Sequence, residues 1–310
     1  MMHNETVLKI SNVTKTYKNT TAVDNVNMTI KKGDIYGLIG KNGAGKTTLL
    51  RLVAALTFAD RGEIELFGQT TEVGLQEARN RMGSVIEMPA LYPNLTAVQN
   101  LEYYQHVKGI PDKAVIQAKL ELVGLTDTGK KKFKDFSLGM KQRLGIALAL
   151  LNNPYFIILD EPVNGLDPAG IVEMREFLKK LNEEHRITIL ISSHLLTELS
   201  MIATRYGFID HGRLIKEITD EQLQEECKQS LVVTVDDTKK ATSILETVLG
   251  VTEFKVVSEA EIRIYDHLDD TSEVNYQLVA GGVRVLNIVQ IDDSLEDYFL
   301  SLIGGGNDHV

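Results

Sequence analysis

Long apolar runs are absent from this sequence. A bilayer-spanning helix takes about 20 mostly apolar residues, and the longest apolar stretches, residues 144–151 and 155–159, are shorter than half of that. No segment is therefore expected to cross a membrane, and work done at one needs another polypeptide to span it. The opening MMHNETVLKI has neither a basic start nor a continuous apolar core, so no secretory signal is expected. Cysteine occurs once, at Cys227, which excludes an internal disulfide and a cysteine-rich zinc site and leaves an ordinary reduced thiol. Basic blocks are missing too. With 33 Lys and Arg against 43 Asp and Glu, the formal net charge is −10. A broad electrostatic surface for nucleic acid is not expected from such a chain, only at most a local basic patch.

What is present suits two domains of unequal size in 310 residues. The stretch GKNGAGKTT, residues 40–48, has the spacing G-x-x-x-x-G-K-[ST], with Gly40, Gly45, Lys46 and Thr47 in the fixed places. Ile35, Gly37, Leu38 and Ile39 before it read as a short buried strand. Leu49, Leu50, Leu52, Val53, Ala54 and Leu56 after it read as a helix that begins at the loop. Glycines let backbone N–H groups turn inward and the helix N-terminus adds partial positive charge, so the loop is built to receive polyphosphate. The candidate nucleotide contacts are Asn42, Gly43, Ala44, Gly45, Lys46, Thr47 and Thr48. Lys46 suits the terminal phosphates and the Thr47 hydroxyl suits Mg²⁺.

Residues 7–10 and 23–30 alternate apolar and polar positions and are expected as strands joined by the polar turn 18–20. Tyr17, at their edge, reads as an edge-strand aromatic or, upstream of a phosphate loop, as a flat face for a nucleobase. Further strands are expected at 63–67 and 82–86, and helices at 96–107 and 112–123, in a mostly helical insertion. FSLGMKQR, residues 136–143, opens a helix that runs to Leu151, with Ser137 placed as its N-cap. YFIILDE, residues 155–161, leads through apolar residues to Asp160 and Glu161, the pattern of a buried parallel strand delivering two carboxylates at its C-terminal end. Open α/β sheets place their ligands at that end. One carboxylate suits Mg²⁺ and the other a proton from water, as against two plain surface acids. NGLD, residues 164–167, is a turn before a helix at 169–181. The strand 187–191 ends at Ser192, Ser193 and His194; the histidine reads as a capping or loop residue, or as a group at the γ-phosphate.

Taken in order, these motifs resemble the nucleotide-binding subunit of an ATP-binding cassette (ABC) transporter over residues 7–218. Tyr17 is similar to the family's adenine-stacking aromatic, residues 40–48 to its Walker A loop and residues 156–161 to its Walker B strand. Ser137, Leu138, Gly139 and Met140 match its signature, Leu166 and Asp167 its D-loop, and His194 its switch histidine. The resemblance implies an α/β P-loop ATPase cassette at residues 1–219: a RecA-like core with an antiparallel β subdomain and a helical subdomain at about residues 90–153. It implies ATP and Mg²⁺ as cofactors. It also implies a homodimer, or a heterodimer with a similar subunit, paired head to tail so that the Walker motifs of one subunit hold each ATP and the signature of the other caps it. In that scheme Asp160 holds Mg²⁺ through water, Glu161 polarises the attacking water and His194 bonds the γ-phosphate. The presence of Glu161 implies a hydrolysing subunit, one that sits at the cytoplasmic face of the membrane and drives separate transmembrane permease subunits.

Two departures stand out. The signature reads FSLGM where the common form is LSGGQ, so Leu138 and Met140 replace a glycine and a glutamine. After the strand 82–86, Glu87 stands where the family usually has a glutamine. A carboxylate there is expected to join Asp160 and Glu161 near the metal, sensing metal and water while facing the membrane partner. That glutamate, with Pro89, Tyr92, Pro93 and Leu95, resembles the bacitracin and lantibiotic resistance branch of exporters, which remove membrane-active peptides. The other readings are a soluble cassette ATPase acting on nucleic acid or ribosomes, and a regulator that switches without turnover. A single cassette with an acidic balance speaks against the former, and Glu161 against the latter.

Beyond residue 220 the texture changes. A short helix at 220–226 is followed by strands at 231–235, 254–257, 262–265 and 283–289 and helices at 239–249 and 272–280. The order βαββαβ is that of a small ferredoxin-like domain, expected within residues 220–310. It carries no clustered metal ligands or paired catalytic groups, and reads as a packing or dimer-stabilising appendage or as a regulatory ligand site. Residues 295–303 suit a final docking helix, too acidic to seek a membrane, and the chain from residue 304 is expected to fray.

Overall fold

Alternating apolar side chains build the first layer. In the computed structural model, which describes residues 5–87, 90–266, 268, 270–291 and 295–304, β1 (Thr6–Tyr17) and β2 (Thr20–Lys31) form an antiparallel hairpin. Both run further than the alternation at 7–10 and 23–30 suggests. Bulges between Ile10 and Val13 and between Val13 and Lys15 shift the side-chain phase. Beyond β3 (Ile35–Ile39) and α1 (Lys46–Val53), β4 (Arg61–Leu66) pairs with the other edge of β1. This three-stranded sheet buries Leu8, Ile10, Val23, Val26, Met28 and Ile30 against Leu49, Leu50 and Val53 of α1. The helix stops three residues short of Leu56, which is exposed, because Ala55 takes a left-handed φ of 57°.

The chain continues through α2 (Glu72–Arg79), β5 (Met82–Val85), α3 (Ala97–Val107), α4 (Ala114–Leu122) and α5 (Leu138–Ala149). Thr96 and Gln99 close a capping box at the start of α3. Fully buried Asn100 ties the approach to it, its amide donating to Tyr92 O and Thr96 O and accepting from Tyr92 N. Then follow β6 (Phe156–Asp160), α6 (Pro168–Glu183), β7 (Thr188–Ser193), α7 (Leu196–Ser200), β8 (Arg205–Asp210) and β9 (Arg213–Thr219). The second sheet has the order β5-β6-β7-β3-β8-β9 and is parallel except for β9. Its central strands are buried on both faces, as continuous apolar runs require.

The chain divides into two units, Met1–Asp220 and Glu221–Val310. After α8 (Asp220–Glu226), the second unit holds β10 (Ser230–Val235), α9 (Thr238–Thr247), β11 (Phe254–Val256), β12 (Glu261–Ile264), α10 (Thr271–Ala280), β13 (Val285–Ile291) and α11 (Leu295–Gly304). Its antiparallel sheet has the order β11-β12-β10-β13, the split βαβ connectivity. Leu231, Val233 and Ile262 pack there against Leu245 and Leu278. Pro89 and the end expected to fray, residues 305–310, lie outside the described residues.

Candidate active site

Three neighbouring strands deliver the chemistry to one sheet edge. β3 turns at its end into residues 40–45, β6 ends at Asp160, and β7 lies between them and leads to His194. The register sets Ile39 beside Ser193 and Asp160 beside Ser192. Gly45 adopts φ 107°, and a Cβ there would collide with the Ala22 carbonyl, so the loop reaches α1 only through a residue without a side chain. The first turn of α1 opens its free N–H groups at this loop.

Lys46 is 5% exposed. Its Nζ donates to Gly40 O at 2.7 Å and Lys41 O at 3.2 Å, and lies 3.2 Å from Glu161 Oε1. A buried ammonium with oxygen on each side is fixed in position. Thr47 Oγ1 donates to Asp160 Oδ2 at 2.9 Å, and Ser192 Oγ donates to Asp160 Oδ1 at 2.6 Å. Glu161 has a left-handed φ of 47°, which costs a residue with a side chain on the order of 1 kcal/mol. Two bonds from its N–H, to Ser192 O at 3.2 Å and Ser192 Oγ at 3.0 Å, hold it there. Its other carboxylate oxygen, Oε2, is 2.8 Å from His194 Nδ1. Glu161 thus spans Lys46 and His194, one oxygen to each.

The pair Thr47 and Asp160 offers hard oxygen donors beside a phosphate loop. Among the described residues no three His, Cys, Asp or Glu side chains converge as a metal cluster. The Thr47–Asp160 pair suits Mg²⁺, which usually takes one or two protein oxygens and completes its shell with phosphate and water.

Glu87 is not gathered with these carboxylates. Its side chain is 57% exposed and pairs with Arg51 at 2.5 Å, on α1. Where a place beside Asp160 and Glu161 is expected, the contact that the structure gives Glu87 is this ion pair with Arg51. Tyr17 closes the β1–β2 hairpin, 44% exposed, with its hydroxyl 3.3 Å from Thr57 Oγ1 and the Lys15 ammonium over its ring, 5.4 Å from the centroid. Asn42, Gly43, Ala44 and Thr48 belong to the loop and the first turn of α1, where the sequence places them.

The signature lies elsewhere. Ser137 caps α5, its Oγ accepting from Met140 N at 3.3 Å. With Leu138, Gly139 and Met140 it lines a cleft of about 560 Å³ whose opposite wall is Gly165, Leu166 and Asp167, and whose lining includes no residue of the loop 40–48. Asp167 caps α6 in the same way. Leu138 packs on this wall: a Cβ added to Gly165, which has φ 77°, would lie 3.0 Å from its Cδ2. Two participants escape a sequence reading. Ser192 looks like one more buried strand residue until the register sets it against Asp160, and Arg51 like one more helix-surface cation until Glu87 is found on it.

A glycine-bearing loop with a buried lysine and two carboxylates at one sheet edge has the arrangement of a P-loop nucleoside triphosphatase, and the antiparallel and helical layers beside the sheet make it one of the cassette type. Residues 23–164 match the ABC transporter family. The chain belongs to that family and is an ATP-binding, ATP-hydrolysing subunit. The bacitracin transport ATP-binding protein BcrA of Bacillus licheniformis is 44% identical over 97% of this chain and 98% of its own length. The lantibiotic transport ATP-binding protein SrtF of Streptococcus pyogenes is 44% identical over 68% of this chain and 90% of its own. Among solved structures, a dimeric ATP-binding cassette in a post-hydrolysis state, bound to ADP and Pi, is 29% identical with a TM-score of 0.62, covering 69% of this chain and 98% of that one. No helix among the described residues is long and apolar enough to cross a membrane.

Proposed function

We propose that this subunit drives the export of a peptide antibiotic of the bacitracin or lantibiotic type through separate permease chains, working at the cytoplasmic face of the membrane as a head-to-tail dimer around two nucleotides. The names of the relatives support the substrate class. The geometry of Glu161 supports the chemistry: with one oxygen at Lys46 and the other at His194, its carboxylate is held in a fixed orientation. Residues 1–219 serve as the nucleotide-binding domain, with residues 90–153 as its helical part, and residues 220–310 as an accessory domain.

Tyr17 stacks on the adenine and residues 42–48 hold the phosphates. Glu161 accepts a proton from water as that water attacks the γ-phosphorus, the bond to the bridging oxygen breaks, and ADP and phosphate result. His194 steadies Glu161 and bonds the γ-phosphate. Mg²⁺, when bound with Thr47 and Asp160, offsets phosphate charge. Ser137, Leu138, Gly139, Met140 and Asp167 face the nucleotide of the other subunit.

Glu161→Gln is expected to lower steady-state ATP turnover about 10²- to 10⁴-fold while a fluorescent ATP analogue still binds. Turnover kept at the wild-type level would remove Glu161 from the chemistry. Cells given this subunit with its permease should survive more bacitracin or lantibiotic, and cells given the Glu161→Gln subunit should not. Equal survival of the two would overturn the substrate class.

A further inference from the structure

Arg51 and Thr47 lie four residues apart on α1, so their side chains share a face, one helical turn or about 6 Å apart along the axis. Thr47 bonds Asp160, and Arg51 bonds Glu87, at 2.5 Å, from the loop after β5. Glu87 is thus held one turn away from the Thr47–Asp160 pair, at a residue with φ 62°. A glutamine at this position could not be held there by charge; the glutamate can. Both partners are partly exposed, 41% and 57%, and exposed ion pairs are weak enough to exchange.

We propose that Arg51 is a positioning residue that parks Glu87 away from the metal-binding oxygens and gives it up when Glu87 turns toward them. The inference rests on the reading of Glu87 as a sensor of metal and water. It makes α1 carry both stations of one carboxylate: the parked one at Arg51, and the engaged one a turn nearer the phosphate loop. Removing the parking charge frees Glu87 and makes metal uptake easier.

The test is the Mg²⁺ dependence of binding of a fluorescent ATP analogue, in a chain whose lack of tryptophan leaves that signal clear. It is measured for wild type, Arg51→Gln, Glu87→Gln and the double variant. With Glu87 present, Arg51→Gln should lower the half-saturating Mg²⁺ concentration about threefold or more, and in the Glu87→Gln background it should change little, since the two residues are coupled. Arg51→Lys, which keeps the charge, should stay near wild type. An equal shift in both backgrounds would mean that Arg51 acts through its general field or through the fold, and would overturn the parking role alone. If Glu87→Gln leaves the Mg²⁺ dependence unchanged with and without Arg51, the sensing role of Glu87 fails, and the parking role with it. Thermal midpoints of each variant, with Arg51→Met as a second replacement, separate these outcomes from loss of folding.

Discussion

Ser192 shows how much a single hydroxyl can organise. It donates to the Asp160 carboxylate and accepts from the backbone N–H of Glu161, so one side chain orients the first acid and helps to hold the second in its left-handed conformation. Ser192→Ala is expected to cost about 1–3 kcal/mol in urea unfolding, because it strips a buried partner from a charged acceptor. ATP turnover should fall while the affinity for a fluorescent ATP analogue stays close to wild type; loss of affinity with unchanged turnover would contradict this role. The phosphate loop, the two carboxylates and His194 are legible in the sequence because each is a contiguous or strand-end pattern. Ser192 and Arg51 are not, because their importance lies in what faces them across strands or between helix and loop.

At the scale of elements, continuous apolar runs such as β3 and β6, and helices with a clear apolar stripe such as α6, are read correctly from the sequence. The β1–β2 hairpin is longer than its alternation because the bulges reset the phase. The elements α2, α7, β8 and β9 are not apparent in the sequence: α2 buries little beyond Gly74 and Ala78, and α7 is five residues long. In β8 the backbone of Gly207 lies under the Tyr36 ring, which interrupts the side-chain pattern.

Tyr36 reaches from β3 across β8 to donate to Glu217 Oε1 of β9 at 2.8 Å. Burial pushes its pKa well above the ordinary value, and the Glu217 charge adds to that. The neutral phenol is the form that fits. Its contribution to stability is therefore complete below the unfolded-state value of about 10 and is lost as pH rises beyond it. The urea midpoint of the wild type should fall above about pH 10, and Tyr36→Phe should flatten part of that fall. Tyr206, raised by burial and by its bond to Asp220, accounts for a further part. A midpoint that falls equally in wild type and Tyr36→Phe would remove Tyr36 from the alkaline transition.

For the whole molecule, the decisive observation is that the signature cleft and the phosphate loop open at different places on the same unit. A site completed by a second copy makes turnover per chain rise with protein concentration. Serial dilution should lower specific activity toward a small residual value, while a covalently linked pair should keep it. Constant specific activity over that dilution would mean that each chain hydrolyses ATP alone. In the sequence, a second copy is implied only by the resemblance of its motifs to those of the family. It does not show that Leu138, in place of a glycine, packs against Gly165 so that the cleft walls meet within one chain.

The sheet that carries the site also works as a ruler. Its strands stand about 4.8 Å apart and advance about 3.3 Å per residue, and the pairings Ile39 with Ser193 and Asp160 with Ser192 lock the graduations together. A lysine at the end of one mark, a pair of carboxylates on another and a histidine between them can only be moved in whole steps. Losing one residue from β3, β6 or β7 would shift its group by a full graduation and turn it to the opposite face. Variation that preserves the enzyme is therefore confined to substitution along these strands, and changes of length belong to the loops on the far side.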